Sequence, residues 1–184
     1  NNRLQDLPGA SGDIEIVKFH KWCRRFLHQA GLWRRTALND QSRKGLLVHL
    51  QSEADSDVLE DDLDYLLEEL DWIRDQGFDS WEDYADIVRR GRQQRLFEAQ
   101  RRQVWDLLKR FRAKMEANDQ FDWPEVPLMM LHAMRNGRIP QEVYHAILVD
   151  EAQDFAPSWF AVVQQMLKPT TNMLFIVADV AQKI

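Results

Sequence analysis

The 184-residue sequence predicts a helix-rich α/β fold, on three observations. Two short apolar runs, Ala146-Ile147-Leu148-Val149 and Met173-Leu174-Phe175-Ile176-Val177, have the length and continuity of strands buried on both faces. A helix over residues 157–167 separates them, as a parallel β-α-β unit requires. Between residue 31 and about residue 140 the chain reads almost throughout as helix and turn. Helix is therefore expected to dominate.

From the start, residues 8–12 (Pro-Gly-Ala-Ser-Gly) form a loop. Residues 14–19 alternate well enough to be a strand, and a helix with Trp22, Phe26 and Leu27 follows over residues 20–30. Gly31 ends it. A short helix is expected over residues 43–52. Residues 59–75 place Leu59, Leu63, Leu66, Leu67, Leu70 and Ile73 on one face, which is an amphipathic helix that Gly77 closes. Ser80 is an N-cap with acidic residues behind it, opening a helix to about Arg90 that Gly91 breaks. The longest helix spans residues 94–117, with Phe97, Val104, Leu108, Phe111 and Met115 forming its buried stripe. Asp122 is expected to cap a helix over residues 124–136, and Gly137 ends that helix. Tyr144 leads into the first of the two apolar strands.

The net charge is −6, so a globally basic nucleic-acid footprint is absent. The charge is nonetheless segregated. Residues 53–86 carry fifteen acids and one base, Arg74, whereas residues 89–114 carry ten bases and two acids, Glu98 and Asp106. This is either a basic surface for phosphates or two helical faces that attract each other. Cys23 is the only cysteine, which excludes an internal disulfide and a cysteine-built metal cage and fits a reducing cytoplasm. No apolar run approaches the roughly 20 residues that span a bilayer, and residues 1–13 lack a signal-peptide pattern. A soluble, cytoplasmic protein is expected.

The chemistry concentrates where the first apolar strand ends, at Asp150 and Glu151. Ligands of open α/β sheets bind beyond the carboxyl ends of the strands, where these side chains would emerge. One carboxylate can hold Mg²⁺ while its neighbour orients or deprotonates the water that attacks a γ-phosphate, which is a Walker-B arrangement. The alternative is a buried strand followed by an acidic helix start.

The next residues point further. Asp150-Glu151-Ala152-Gln153-Asp154 resembles the D-E-x-Q-D motif II of superfamily-one helicases of the UvrD/Rep type. Ala178-Asp179-Val180-Ala181-Gln182-Lys183-Ile184, after the second strand, resembles their motif III. Val17-Lys18-Phe19-His20-Lys21 occupies the place of the family's Thr-Phe-His-Ser motif, a loop that contacts single-stranded DNA. Phe19 and His20 match it, while Lys18 and Lys21 put cations where hydroxyls are usual. Phe121-Asp122-Trp123 is similar to the Asp-aromatic pair found upstream of motif II.

The resemblance implies a RecA-like P-loop NTPase sheet containing the three strands, interrupted by a large helical insertion. It divides the chain into residues 1–30 (motor domain), 31–140 (helical accessory subdomain) and 141–184 (motor domain). It implies ATP and Mg²⁺ as cofactors and single-stranded or partly duplex DNA as partner. Asp150 would coordinate Mg²⁺, Glu151 would activate water, and Gln182 would sense the γ-phosphate. Gln153 and Asp154 would tie the motif II loop to neighbouring motifs, with Gln153 among the ATP-binding residues. Lys18, Phe19 and His20 would contact DNA.

The phosphate-cradling Gly-x-x-x-x-Gly-Lys-(Ser/Thr) loop does not occur in the sequence. In the family it lies upstream of the Phe-His motif, and the arginine finger lies downstream of motif III. The expectation is a fragment of an ATP-dependent helicase, inactive alone and prone to self-associate through open strand edges. The competing reading is a non-catalytic nucleic-acid- or protein-binding module derived from a helicase. The scattered tryptophans remain unassigned between core and base stacking.

Overall fold

The computed structural model describes residues 14–34, 36–54, 62–92 and 94–179. Seven α-helices carry these residues: α1 (Phe19–Gln29), α2 (Asp40–Ala54), α3 (Leu63–Gln76), α4 (Trp81–Ala85), α5 (Glu98–Ala117), α6 (Val126–Arg135) and α7 (Pro157–Met166). Four short strands complete them: β1 (Thr36–Ala37), β2 (Gln120–Phe121), β3 (Ala146–Val149) and β4 (Met173–Ile176). The architecture is helix-rich, with two small parallel sheets.

The β-α-β expectation holds in its connectivity. β3 and β4 pair in parallel, Ala146 opposite Met173 and Val149 opposite Ile176, and α7 makes the crossover. Burial on both faces does not hold. Among the described residues only Val149 of β3 is buried, and Leu148 is 61% exposed. The sheet has two strands among the described residues, and Leu148, Phe175, Ile176 and Val177, which alternate between its faces, are exposed.

The expected strand over residues 14–19 is also corrected. Residues 14–18 pair with no strand among the described residues, and helix begins at Phe19. Alternation specifies a strand only where a partner ladder and a buried face exist, and Ile14, Ile16 and Val17 are exposed. From Phe19 onward, Phe19, Trp22, Cys23 and Leu27 repeat every three to four residues, and this stripe packs under α6. Glu15 is instead held by Arg25 Nη2, which donates to its carboxylate at 2.8 Å.

β1 and β2 form a neck. Thr36 pairs with Gln120 and Ala37 with Phe121, so the chain leaves for α2–α5 and returns at one point. Those four helices share a core of their own, including Leu47, Leu66, Leu70, Tyr84, Trp105, Leu108, Phe111 and Met115. The α5 stripe is as expected from Val104 to Met115, but Phe97 is 63% exposed and stands before the helix. α5 starts at Glu98 because the Gln100 side chain accepts from Phe97 N at 3.0 Å, closing the first turn. α3 carries its predicted Leu-Ile stripe, with Asp62 as N-cap; Leu59 and the loop at residues 8–12 lie outside the described residues.

α4 is shorter than expected. Ser80 and Asp83 form a capping box at its start, as the sequence suggests. It ends at Ala85, where Arg101 of α5 donates to the carbonyls of Tyr84 (3.1 Å), Ala85 (2.7 Å) and Ile87 (3.2 Å). A guanidinium on those carbonyls replaces the next helical turn. Arg89 is then drawn back to α3, where its Nε donates to Glu69 Oε1 at 2.7 Å. Arg92 Nε donates to the other oxygen at 2.9 Å, and Tyr84 Oη donates to Oε1 at 2.8 Å. Burial pushes the Glu69 carboxyl up, but Arg89, Tyr84 and Arg92 outweigh it and hold it below its ordinary range. The acidic and basic blocks thus attract each other here, and Arg89 and Arg92 are committed within the fold.

Asp122 makes no capping hydrogen bond, contrary to expectation. Its carboxylate is buried, and Arg74 Nη1 donates to its two oxygens at 2.7 and 2.9 Å. Arg43 Nε lies 2.9 Å from it, both arginines also hold Asp71, and Arg112 Nε donates to Glu125 at 3.0 Å. Arg43 comes from α2, Arg74 and Asp71 from α3, and Arg112 from α5. The segment that returns from the neck is therefore locked to the helices it has just left.

A second core joins α1, α6 and α7, with Trp22, Leu27, Leu128, Leu131, Val162 and Met166 buried. α3 reaches this layer at its C-terminal end. Gly77 takes φ +78°, and a Cβ there would lie 3.7 Å from Ser158 Cβ of α7. Asp79, just beyond, is held by His132 and Arg135 of α6.

Candidate functional site

Two loops meet at the carboxyl end of the β3–β4 pair. The ladder continues past the strands, with Val177 N donating to Val149 O and Ala152 N to Val177 O, each at 2.9 Å. Between those bonds the chain must turn sharply, and Glu151 does so with φ 52° and ψ 42°. A left-handed conformation in a non-glycine residue costs about 1–2 kcal/mol. The turn is held by Asp150 Oδ1, which accepts from Glu151 N at 3.0 Å, and by Asp154 N, which donates to Glu151 O at 3.0 Å. Ala152 is buried beneath it, so Asp150 and Glu151 stay exposed beyond the sheet edge.

Gln153 connects the loops. Its Nε2 donates to Glu151 Oε2 at 2.6 Å, and its Oε1 accepts from Asp179 N at 3.0 Å. One amide therefore fixes the Glu151 carboxylate and reports the position of the loop after β4. Asp150, Glu151, Gln153 and Asp179 form one constellation. Gln182 lies outside the described residues.

The donors for a metal here are few. Among the described residues no cluster of three or more His, Cys, Asp or Glu side chains could cage an ion. Mg²⁺ in nucleotide sites is held by one or two carboxylates together with phosphates and water. Exposed Asp150 beside Glu151 is a donor set of that kind.

The Phe-His pair sits close by, through rings. Phe19 opens α1 and stacks on Trp159 of α7, centroids 4.7 Å apart and planes 8° from parallel. It also meets Phe155, the residue after Asp154, edge-on at 5.3 Å. Phe155 and Trp159 contact each other at 5.1 Å, closing a triangle. Phe19 also packs against the cluster of Val149, Ala152 and Val163 under the motif loop. Its ring is thus spent on packing. His20 lies edge-on to Trp159 at 4.6 Å and to Trp123 at 5.3 Å, and burial pushes its pKa below the ordinary histidine value. Lys18 precedes the helix and is exposed.

The geometry singles out three residues that the sequence left unassigned: Phe155, Trp159 and Trp123. The available signal was positional. Phe155 follows the Asp-Glu-x-Gln-Asp run directly, and Trp159 stands on the crossover helix that follows.

Compared with known families, the whole chain, residues 1–184, matches the UvrD/REP helicase N-terminal domain. The chain belongs to this family. A comparison with curated protein sequences returns no match. The two loops at the β3–β4 edge lie within this UvrD/REP domain. No helix among the described residues is long and apolar enough to cross a membrane.

Proposed function

We propose that this chain supplies the hydrolytic half of a Mg-ATP site in a DNA helicase or translocase, built on a RecA-like sheet with an inserted helical subdomain. The observation that supports this most is the Gln153 bridge between the Glu151 carboxylate and the backbone of Asp179. A carboxylate at a strand end is common in α/β folds. One clamped in a strained turn and tied to the neighbouring strand-end loop has the preorganisation that water activation demands.

In this reading Asp150 holds Mg²⁺, which neutralises phosphate charge when bound. Glu151 accepts the proton of the attacking water, and Gln153 keeps its carboxylate aimed. Gln182 senses the γ-phosphate, and a shift of the backbone at Asp179 reaches Glu151 through Gln153. Lys18 and His20 contact a DNA strand, and the Phe19–Phe155 contact joins that strand's binding site to the motif II loop. The helices between the strands of the neck act as the accessory subdomain, with α6 on the motor side. That junction lies inside residues 31–140. ATP hydrolysis by the intact protein, with and without single-stranded DNA and beside Glu151→Gln, tests this reading.

A further inference from the structure

Phe19, His20 and Phe155 share one neighbour, Trp159 of α7. Phe19 stacks on its indole with centroids 4.7 Å apart, and His20 meets it edge-on at 4.6 Å. Phe155, directly after Asp154, meets it at 5.1 Å. We infer that Trp159 is a positioning residue that makes hydrolysis at Glu151 answer to a DNA strand held at Lys18–His20. This role rests on the motor proposed above and concerns the regulation of its hydrolytic carboxylate.

Phe155 stands at the end of the turn that Glu151 opens. Its N donates to Ala152 O at 3.1 Å, and Asp154 N donates to Glu151 O at 3.0 Å, so residues 151–155 form one closed turn. A displacement of Phe155 is therefore felt at Glu151, whose left-handed backbone tolerates little change. On the other side, Phe19 opens α1 directly after the exposed Lys18. A phosphate drawn to Lys18 pulls on the backbone that carries Phe19. Phe19 also meets Phe155 directly, but only edge-on at 5.3 Å. Trp159 closes this contact into a triangle. Its plane lies 8° from that of Phe19, so Phe19 cannot tilt away from Phe155 without breaking the stack.

The core of α7 is filled without Trp159. Ser158, Val162, Val163 and Met166 are the buried residues of that helix, and Trp159 stays partly exposed beside them. Its Nε1 is buried and finds no hydrogen-bond partner among the described residues. An N–H in that position weakens the fold, a cost that a side chain without one avoids. What tryptophan supplies here is a flat face, and a ring against a ring stabilises beyond the area it buries. Gln153 ties Glu151 to the β4 side, and Trp159 ties the same turn to α1. Perturbing the shared side chain is what separates such coupling from mere proximity.

ATP hydrolysis by the intact protein, with and without saturating oligothymidine, beside Trp159→Leu and Trp159→Phe, tests this. Trp159→Leu is expected to lower the DNA-stimulated rate about 2- to 12-fold, the scale of one aromatic pair. The rate without DNA and the oligothymidine affinity, read by fluorescence anisotropy, should stay as in the unaltered protein. Trp159→Phe keeps a flat face and should retain most of the stimulation. Equal losses with and without DNA mark a structural part and overturn the inference, as does full stimulation in a folded Trp159→Leu; both leave the proposed motor standing. No hydrolysis by the unaltered protein, with or without DNA, removes the motor and the inference with it. Hydrogen exchange needs no variant to fold. Oligothymidine without nucleotide should slow exchange at the Asp154 and Phe155 amides of the unaltered protein, and unchanged exchange there also overturns the inference.

Discussion

Asp122→Asn separates two accounts of one residue. As an N-cap, Asp122 would tolerate the change, because asparagine caps as well as aspartate. As the centre of a buried ion cluster it would not. The substitution keeps the shape and one carbonyl oxygen but removes the charge that Arg74, fully buried, meets at 2.7 and 2.9 Å. Breaking a buried ion pair by altering one partner typically costs about 3–5 kcal/mol. Asp71 and Glu125 remain beside Arg74 and soften the loss, so about 2–4 kcal/mol is expected here. For a domain of this size that lowers Tm by roughly 4–16 °C. Thermal unfolding followed by circular dichroism at neutral pH reads it directly. A change under about 1 kcal/mol would refute the view that this cluster locks the returning chain to α2 and α3.

Two further perturbations follow from charge and exposure. Asp75, on α3, has its carboxyl pushed up to about 6, first by burial and then by Asp71, with Arg74 opposing. An acid with a raised folded pKa destabilises the fold once it ionises, so stability should fall as pH rises from about 4 to 6. Asp75→Asn should therefore stabilise by about 1 kcal/mol at pH 7, after allowance for partial solvent screening, and do nothing near pH 4; equal Tm gains at both pH values would contradict this. The exposed apolar side chains Leu148, Phe175, Ile176 and Val177, spread over both faces of the β3–β4 pair, predict concentration-dependent self-association of the isolated chain. Light scattering at two concentrations checks it, and a monomer at both would count against it.

The parts of the fold that could be read in sequence are those where one pattern sufficed. The Leu-Ile stripe of α3, the Ser80 cap and the β3–α7–β4 unit were legible because periodicity, capping chemistry and strand length each act over a few residues. The failures share a cause in distant partners. Asp122 looked like a cap because Arg43 and Arg74, some 79 and 48 positions earlier, are invisible to local pattern. α4 looked longer because nothing nearby announces that Arg101 will take its last carbonyls. Residues 14–18 alternate, yet no ladder receives them. At the candidate site, Asp150 and Glu151 were legible from the strand that delivers them. The left-handed turn at Glu151 and the reach of Gln153 to Asp179 depend on two loops meeting in space. Trp123 was ambiguous because seven tryptophans looked alike until burial distinguished them.

The central claim is that Glu151 activates water for ATP hydrolysis and that this step answers to DNA. The most direct measurement is steady-state ATP hydrolysis by the intact protein carrying this chain, with and without single-stranded DNA, beside Glu151→Gln. The account predicts turnover that DNA stimulates and that the variant loses by roughly 10²-fold or more, the scale of general-base catalysis. A folded intact protein that hydrolyses no ATP, or a Glu151→Gln variant that hydrolyses it as fast as the unaltered protein, would contradict it.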